Sequence, residues 1–250
     1  MEAIRINKYL SAKGICSRRQ ADKMLEEGRI LVDGVQAVPG IQVSDANEIL
    51  IDGVLVQTHH TPSPVLLAVN KPVGIVCTTA KFDKDNIVDF LKYPTRVYPI
   101  GRLDKDSEGL ILMTNQGELV NKILRGSNNH EKEYVVRVNK PITRDFLRAM
   151  REGVPILDTV TKPCYVKQTG TKTFHIILTQ GLNRQIRRMC EYLGMRVVSL
   201  KRLRIMNVEL GDLSTGNYRE ITGEEYNELM KLLENSSSLS YKQRMENNNE

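Results

Sequence analysis

The sequence predicts an α+β fold in two parts: a small N-terminal unit of two helices plus hairpins, then a larger unit of mixed strands and helices. Three observations carry this reading. Two Asp-Gly turns, each flanked by apolar residues, come after two helical patterns within residues 1–57. A polar, Pro-bearing stretch, THHTPSP at 58–64, separates them from the remainder of the chain. From Val65 onward, apolar strand-like runs are interspersed with helix-like ones. With 250 residues, 40% of them hydrophobic, the chain has material for a small and a medium core.

In the first part, Ile6, Tyr9 and Leu10 recur at helical spacing and Gly14 can end that helix. Ser17 and Gln20 form an S-x-x-Q capping box that opens a second helix. Its apolar face is Ala21, Met24 and Leu25, and Gly28 closes it. Arg19 and Lys23, four apart, share another face with Arg18 beside them. RILVDGVQAV and EILIDGVLVQ then read as hairpins, because Asp33-Gly34 and Asp52-Gly53 favour tight primed turns.

In the second part, VLLAVN from Val65 is a strand leading into Lys71-Pro72-Val73-Gly74, and GIVCTT continues as a strand. Lys71 is placed to support a site or touch a ligand, whereas Pro72 and Gly74 shape the backbone. Gly117 to Leu124 is a helix and Tyr134 to Val138 a strand. Thr143 to Met150 is a helix with Phe146, Leu147 and Met150 inward. Tyr165–Lys167 pairs with Thr173–Leu178, Val208 onward adds sheet, and a T-x-x-E box at Thr222 and Glu225 opens a last helix through Leu233. From Asn235 the chain is polar and is expected to be disordered.

The net charge of +6 is concentrated. Residues 181–204 hold six arginines and Lys201 against the single acid Glu191, so this segment alone equals the whole excess. Local positive charge of this kind favours a polyanion such as nucleic acid. Cys16, Cys77, Cys164 and Cys190 are scattered without a C-x-x-C pair, which suits reduced thiols in a cytoplasmic protein and argues against a metal site. The N-terminus, MEAIRINKYL, is charged rather than continuously apolar, and no stretch has the length of a membrane span.

The stretch most suggestive of chemistry is Ile100–Asn115, IGRLDKDSEGLILMTN. It sets Asp104 in a polar loop between the apolar runs Val97–Leu103 and Leu110–Thr114. If residues 102–104 are extended, Arg102 and Asp104 point to one side and Leu103 to the core. A carboxylate so held beside cations suits nucleophilic or proton-transfer chemistry. A surface turn rich in Asp, Lys and Ser fits the residues equally well. Farther on, Ile186, Met189, Cys190 and Leu193 form a helical apolar stripe, with Arg184, Arg187 and Arg188 on the other side. Tyr134 could stack on an unpaired base or be an ordinary core residue of its strand.

GRLDKDSEGLILMTN resembles the signature of the RsuA family of pseudouridine synthases, which isomerise uridine in structured RNA. The resemblance implies that Asp104 is catalytic, as a nucleophile on the sugar or as a base taking a ribose proton. It implies that Tyr134, in HEKEYVV, packs on the target uracil. Arg187, in the Gln-Ile-Arg motif, would pair with Asp104 and favour its ionised form. Arg102, Arg184 and Arg188 complete the implied substrate-binding set, the last two as phosphate contacts. No cofactor and no metal are implied.

RINKYLSAKGICSRRQADKMLEEGRILVDG resembles the small RNA-binding domain named after ribosomal protein S-four. That implies RNA contacts from Arg5, Lys8, Arg18, Arg19 and Lys23. The expected organisation is an RNA-binding domain at 1–57, a linker at 58–64, a mixed, mainly antiparallel-sheet pseudouridine synthase domain at 65–234, and a tail at 235–250. HEKEY, YPIGRLDKDSEGL and VPILDTVTKPC are most similar to members that modify large-subunit ribosomal RNA and can also act on a tRNA. The implied partners are that ribosomal RNA and a tRNA, and the implied state is a cytoplasmic monomer. The C-terminal SSSLSYKQRMENNNE is nearly neutral where relatives can carry a basic extension, so no RNA contact is expected from it. The competing reading is a non-catalytic RNA-binding protein built from the same two domains.

Overall fold

The computed structural model describes residues 3–56, 62–80, 82–125 and 128–236. Most of the linker, with His59 and His60, and nearly all of the tail expected to be disordered lie outside the described residues. The chain divides into two compact units, Met1–Pro64 with Pro94–Arg96, and Val65–Tyr93 with Val97–Glu250. No helix among the described residues is long and apolar enough to cross a membrane.

The first unit runs β1 (Ile4–Arg5), α1 (Ile6–Ala12), α2 (Arg18–Glu26), β2 (Ile30–Val32), β3 (Val35–Gln36), β4 (Gln42–Val43), β5 (Ile49–Ile51) and β6 (Val54–Leu55). The capping box at Ser17 forms: its hydroxyl accepts from the Gln20 N–H at 3.2 Å and its own N–H donates to Gln20 Oε1 at 2.9 Å. Both Asp-Gly turns are two-residue loops with both central residues left-handed, Asp33 at φ 51° and Gly34 at 79°, Asp52 at 53° and Gly53 at 76°. That is the primed geometry whose twist matches the strands it joins. The strands order as β3-β2-β5-β6. Leu10, Ile30, Val43 and Ile49 are fully buried between sheet and helices. Each such side chain contributes about 1.5–3 kcal/mol of apolar burial.

The second unit runs β7 (Leu66–Lys71), α3 (Ile87–Leu91), β8 (Tyr98–Ile100), β9 (Glu108–Thr114), α4 (Gly117–Leu124), β10 (Lys132–Val138), α5 (Arg144–Glu152), β11 (Pro155–Ile156) and β12 (Thr159–Val160). It continues with β13 (Tyr165–Gly170), β14 (Thr173–Leu178), α6 (Gln185–Tyr192), β15 (Val197–Ile205), β16 (Val208–Glu209), β17 (Tyr218–Glu220) and α7 (Gly223–Leu233). The large sheet orders as β13-β14-β10-β15-β9-β7-β17, with β16 on β15 and β8 on β9. All its pairings are antiparallel except β15 with β9.

β7 and β9 are covered on both faces. Leu67, Val69, Ile111 and Met113 join the core that includes α3, α5 and α6, whereas Leu66, Ala68, Leu110 and Leu112 join the one closed by α4 and α7. A strand buried on both sides reads as a continuous apolar run, which is why VLLAVN and LILMT lack alternation. β10 alternates instead, with Tyr134, Val136 and Val138 buried.

Four local expectations change. GIVCTT is not a strand; it makes only a bridge from Val76 to Asn86. Lys71 Nζ donates to the Pro72 and Ile75 carbonyls, at 2.8 and 2.9 Å, and so ties the chain into a turn there. The run from Val97 is a strand only to Ile100, because Gly101 turns the backbone at φ 79°. The T-x-x-E box at Thr222 does not form: the Thr222 side chain makes no cap hydrogen bond, and Arg219 holds the Glu225 carboxylate at 2.7 Å. The central strand Val197–Ile205 was hidden in the sequence by its basic residues.

Candidate active site

The loop between β8 and β9, residues 101–107, carries the acids. Leu103 is buried as expected, and its N–H points to the Cys77 sulfur at 3.4 Å. Arg102 and Asp104 both line a cleft of about 390 Å³ in the second unit, so one mouth receives the acid and the base although residues 102–104 are not a strand. The other walls are the end of α4, Lys132 and Tyr134 of β10, the segment 178–187 and Arg202 of β15.

The stripe of α6 is buried at Ile186, Met189 and Cys190, which directs the first turn of the helix at this loop. Arg187 donates through Nη2 to the Asp106 carbonyl at 2.8 Å and to Ser107 Oγ at 2.9 Å. Its Nε is buried without a hydrogen-bond partner, 3.8 Å from Asp104 Oδ2. Arg184, at the left-handed N-cap, pairs with both Asp106 oxygens at 3.1 and 3.3 Å and lies 3.6 Å from Asp104 Oδ2. Asp104 thus has two guanidinium groups at ion-pair distance and keeps a third of its side chain exposed. Arg188 turns away: it donates to the Asn183 carbonyl and side chain, at 3.1 and 3.2 Å, and approaches neither acid.

Asp106 is the acid that the sequence reading missed, although it stands two residues beyond Asp104 in LDKDS. Burial opposes its charge, but the hydrogen bonds from Arg184 and the charges of Arg187 and Arg184 outweigh that and hold its carboxyl below the usual range. Its carboxylate engages both arginines, at 3.1 Å from Arg184 and 3.3 Å from Arg187.

Tyr134 is 9% exposed and belongs to the core, yet it also lines the cleft. Arg202 stands opposite it on β15, with its guanidinium carbon 5.9 Å from the ring centroid. β15 comes close enough because residue 109 is glycine: a Cβ there would lie 2.3 Å from the Arg202 carbonyl oxygen. Among the described residues no three His, Cys, Asp or Glu side chains gather as metal ligands. Arg5, Lys8, Arg18, Arg19 and Lys23 lie on the first unit with their side chains at least partly open to solvent, and Lys23 is 3.6 Å from Glu27.

Comparison with known proteins agrees with this architecture. The profile of the RNA pseudouridylate synthase family matches residues 65–192, and that of the S4 domain matches residues 4–55. The dual-specificity RNA pseudouridine synthase RluF of Escherichia coli K12 is 54% identical over 236 residues, covering 94% of this chain and 81% of that protein. Ribosomal large subunit pseudouridine synthase B of Bacillus subtilis is 33% identical over 244 residues, covering 94% and 98%. A crystal structure of a pseudouridylate synthase aligns with TM-score 0.66 at 28% identity, covering 92% of this chain and 99% of that one. These matches bear out the resemblance carried by GRLDKDSEGLILMTN and by the two-helix, two-hairpin unit. The chain belongs to the RNA pseudouridylate synthase family, as an RNA-modifying isomerase that carries an S4 domain.

Proposed function

We propose that this enzyme isomerises a specific uridine of large-subunit ribosomal RNA to pseudouridine, with a tRNA as a second substrate, and that Asp104 is its catalytic residue. The observation that carries the reading is Asp104 itself, part-exposed in the cleft and flanked by Arg184 and Arg187 at ion-pair distance, with Tyr134 lining the same cleft. The relatives named for large-subunit and dual-specificity synthases support the substrate class.

The reaction breaks the bond from C1′ of ribose to N1 of uracil, turns the base and rejoins C1′ to C5. Asp104 has two routes. As a nucleophile it forms an ester to C1′ while the bonding pair leaves with uracil. As a base it removes a ribose proton to give a glycal, and the same pair leaves with uracil. Either route needs a free carboxylate, and the guanidinium groups of Arg184 and Arg187 face it at 3.6 and 3.8 Å. Tyr134 stacks on the detached base. Extruding the target costs a few kcal/mol, less when it is already unpaired. Contacts from Arg102 and from Arg5, Lys8, Arg18, Arg19 and Lys23 to RNA offset that cost. The first unit, residues 1–57, acts as the RNA-binding domain and residues 65–234 as the catalytic one. The enzyme works as a cytoplasmic monomer without a cofactor.

The test is a large-subunit RNA transcript tritiated at uracil C5. The enzyme releases label to water, and Asp104→Asn releases none while binding the transcript with wild-type affinity. Near-native release by that variant removes Asp104 from its role; binding without release by the wild type leaves a plain RNA-binding protein. Binding weakens with salt at a log–log slope of about −0.7 per neutralised phosphate on single strands.

A further inference from the structure

Two cations of the cleft have no counter-ion. Lys132 lies on the same face of β10 as Tyr134, two residues away, and lines the cleft with it. Its Nζ makes one hydrogen bond, to the His130 carbonyl at 3.3 Å. Arg202, only 4% exposed, donates through Nε to the Leu110 carbonyl at 2.6 Å and leaves a buried Nη2 with no partner. Among the described residues no carboxylate pairs with either. Glu131 and Glu133, the acids beside Lys132 in sequence, are engaged by Arg204 instead.

Burying positive charge without a partner is costly, and a protein that needed only packing here would be better served by apolar side chains. The missing partner is therefore an anion that arrives in the cleft. Successive same-face residues of a strand are about 6.8 Å apart, so a pyrimidine stacked on Tyr134 presents its rim to the Lys132 ammonium. Arg202 lines the same cleft, with its guanidinium carbon 5.9 Å from the ring centroid, and adds positive charge there.

We propose that Lys132 donates a hydrogen bond to a carbonyl oxygen of the detached uracil and, with Arg202 beside Tyr134, stabilises the negative charge that the base carries between the two glycosidic bonds. This rests on the pseudouridine synthase reading above. When C1′–N1 breaks, the bonding pair stays on uracil and spreads over N1 and the carbonyl oxygens. The charge is neutralised when C5 takes C1′, and the C5 proton then leaves. A donor aimed at those oxygens acts where charge develops and is absent from the neutral substrate, so it lowers the barrier rather than tightening binding. Burial also pushes the Lys132 ammonium down to about 8, with the Arg202 charge adding to the effect, as expected of a cation held for an absent anion.

The experiment measures single-turnover tritium release, RNA affinity and melting temperature for wild type, Lys132→Met and Lys132→Arg. Removing one such donor costs about 100-fold or more in rate. Lys132→Met is expected to lose that much with unchanged affinity and no loss of melting temperature, and Lys132→Arg to recover a large part of it. With 5-fluorouridine in place of the target, base detachment by Lys132→Met is expected to fall closer to wild type, because fluorine makes the departing base a better leaving group. A wild-type rate in Lys132→Met overturns the inference. So does a loss of affinity with a shallower salt slope, which marks a phosphate contact, or a rate that falls only in step with melting temperature, which marks packing. Wild-type protein that releases no label defeats the synthase reading, and this inference with it.

Discussion

The Nε of Arg187 lies 3.8 Å from Oδ2 of Asp104 and donates to nothing. The arginine is held instead by its Nη2, on the Asp106 carbonyl and Ser107 Oγ. One guanidinium therefore braces the loop with one nitrogen and faces the candidate nucleophile with another.

This division of labour predicts unequal costs for the two arginines. Arg187 is 14% exposed and satisfies two loop oxygens, so Arg187→Met is expected to cost about 1.5–3 kcal/mol of stability, along with activity. Arg184 is 42% exposed, and Arg184→Met is expected to cost no more than about 1 kcal/mol. Urea unfolding of the two variants checks the order. Equal midpoints would show that Arg187 braces nothing.

Asp106 makes a pH prediction. Its folded carboxyl titrates below the ordinary value of about 3.9, so the unfolded state takes up a proton first as pH falls. Its stabilising contribution is whole above about pH 5 and is lost through pH 4 and below. Asp106→Asn is expected to flatten that part of the acid-unfolding curve. A curve parallel to wild type in this range would exclude the residue from the linkage.

Lys132 shifts in the direction that destabilises the fold. Its folded value of about 8 lies below the unfolded value of about 10.4, so the penalty is complete below pH 8. It is relieved as pH rises to 10, where the folded state has released a proton that the unfolded state still holds. Lys132→Met is therefore expected to be more stable than wild type at pH 7, with a gain that shrinks by pH 10. Thermal melts of both proteins across that range test it, and a constant difference would show the ammonium to be well solvated.

Among the described glycines, Gly109 is the one where a Cβ would meet its surroundings most closely. Its φ of 102° is in the region that disfavours L residues, at about 1–3 kcal/mol, and a Cβ would also meet the Arg202 backbone. Gly109→Ala is expected to lower the melting temperature and to slow label release, since the β15 backbone and Arg202 must move. Wild-type values for both would mean that the sheet relaxes without cost.

Much of this was legible in the residues. The helices at 6–12 and 18–26 and both Asp-Gly hairpins arise from spacing, a capping box and turn chemistry, which act over a few residues. The burial of Leu103 and of the 186–190 stripe reflects periodicity. What local pattern could not decide was partnership. Val197–Ile205 looked basic rather than sheet-like because its strand character depends on β9 and β10 lying beside it. Glu225 looked like a cap because its competitor, Arg219, is a matter of three-dimensional placement. The candidate site divides in the same way. Asp104, Tyr134 and Arg187 stand out as residue types in motifs, and their order along the chain is enough to suspect chemistry. That Asp106 fastens the arginines, and that Lys132 and Arg202 face the cleft without an acid, was decided only by tertiary structure. Electrostatic partnership depends on distance in space, and these residues are brought together from across about a hundred positions of chain.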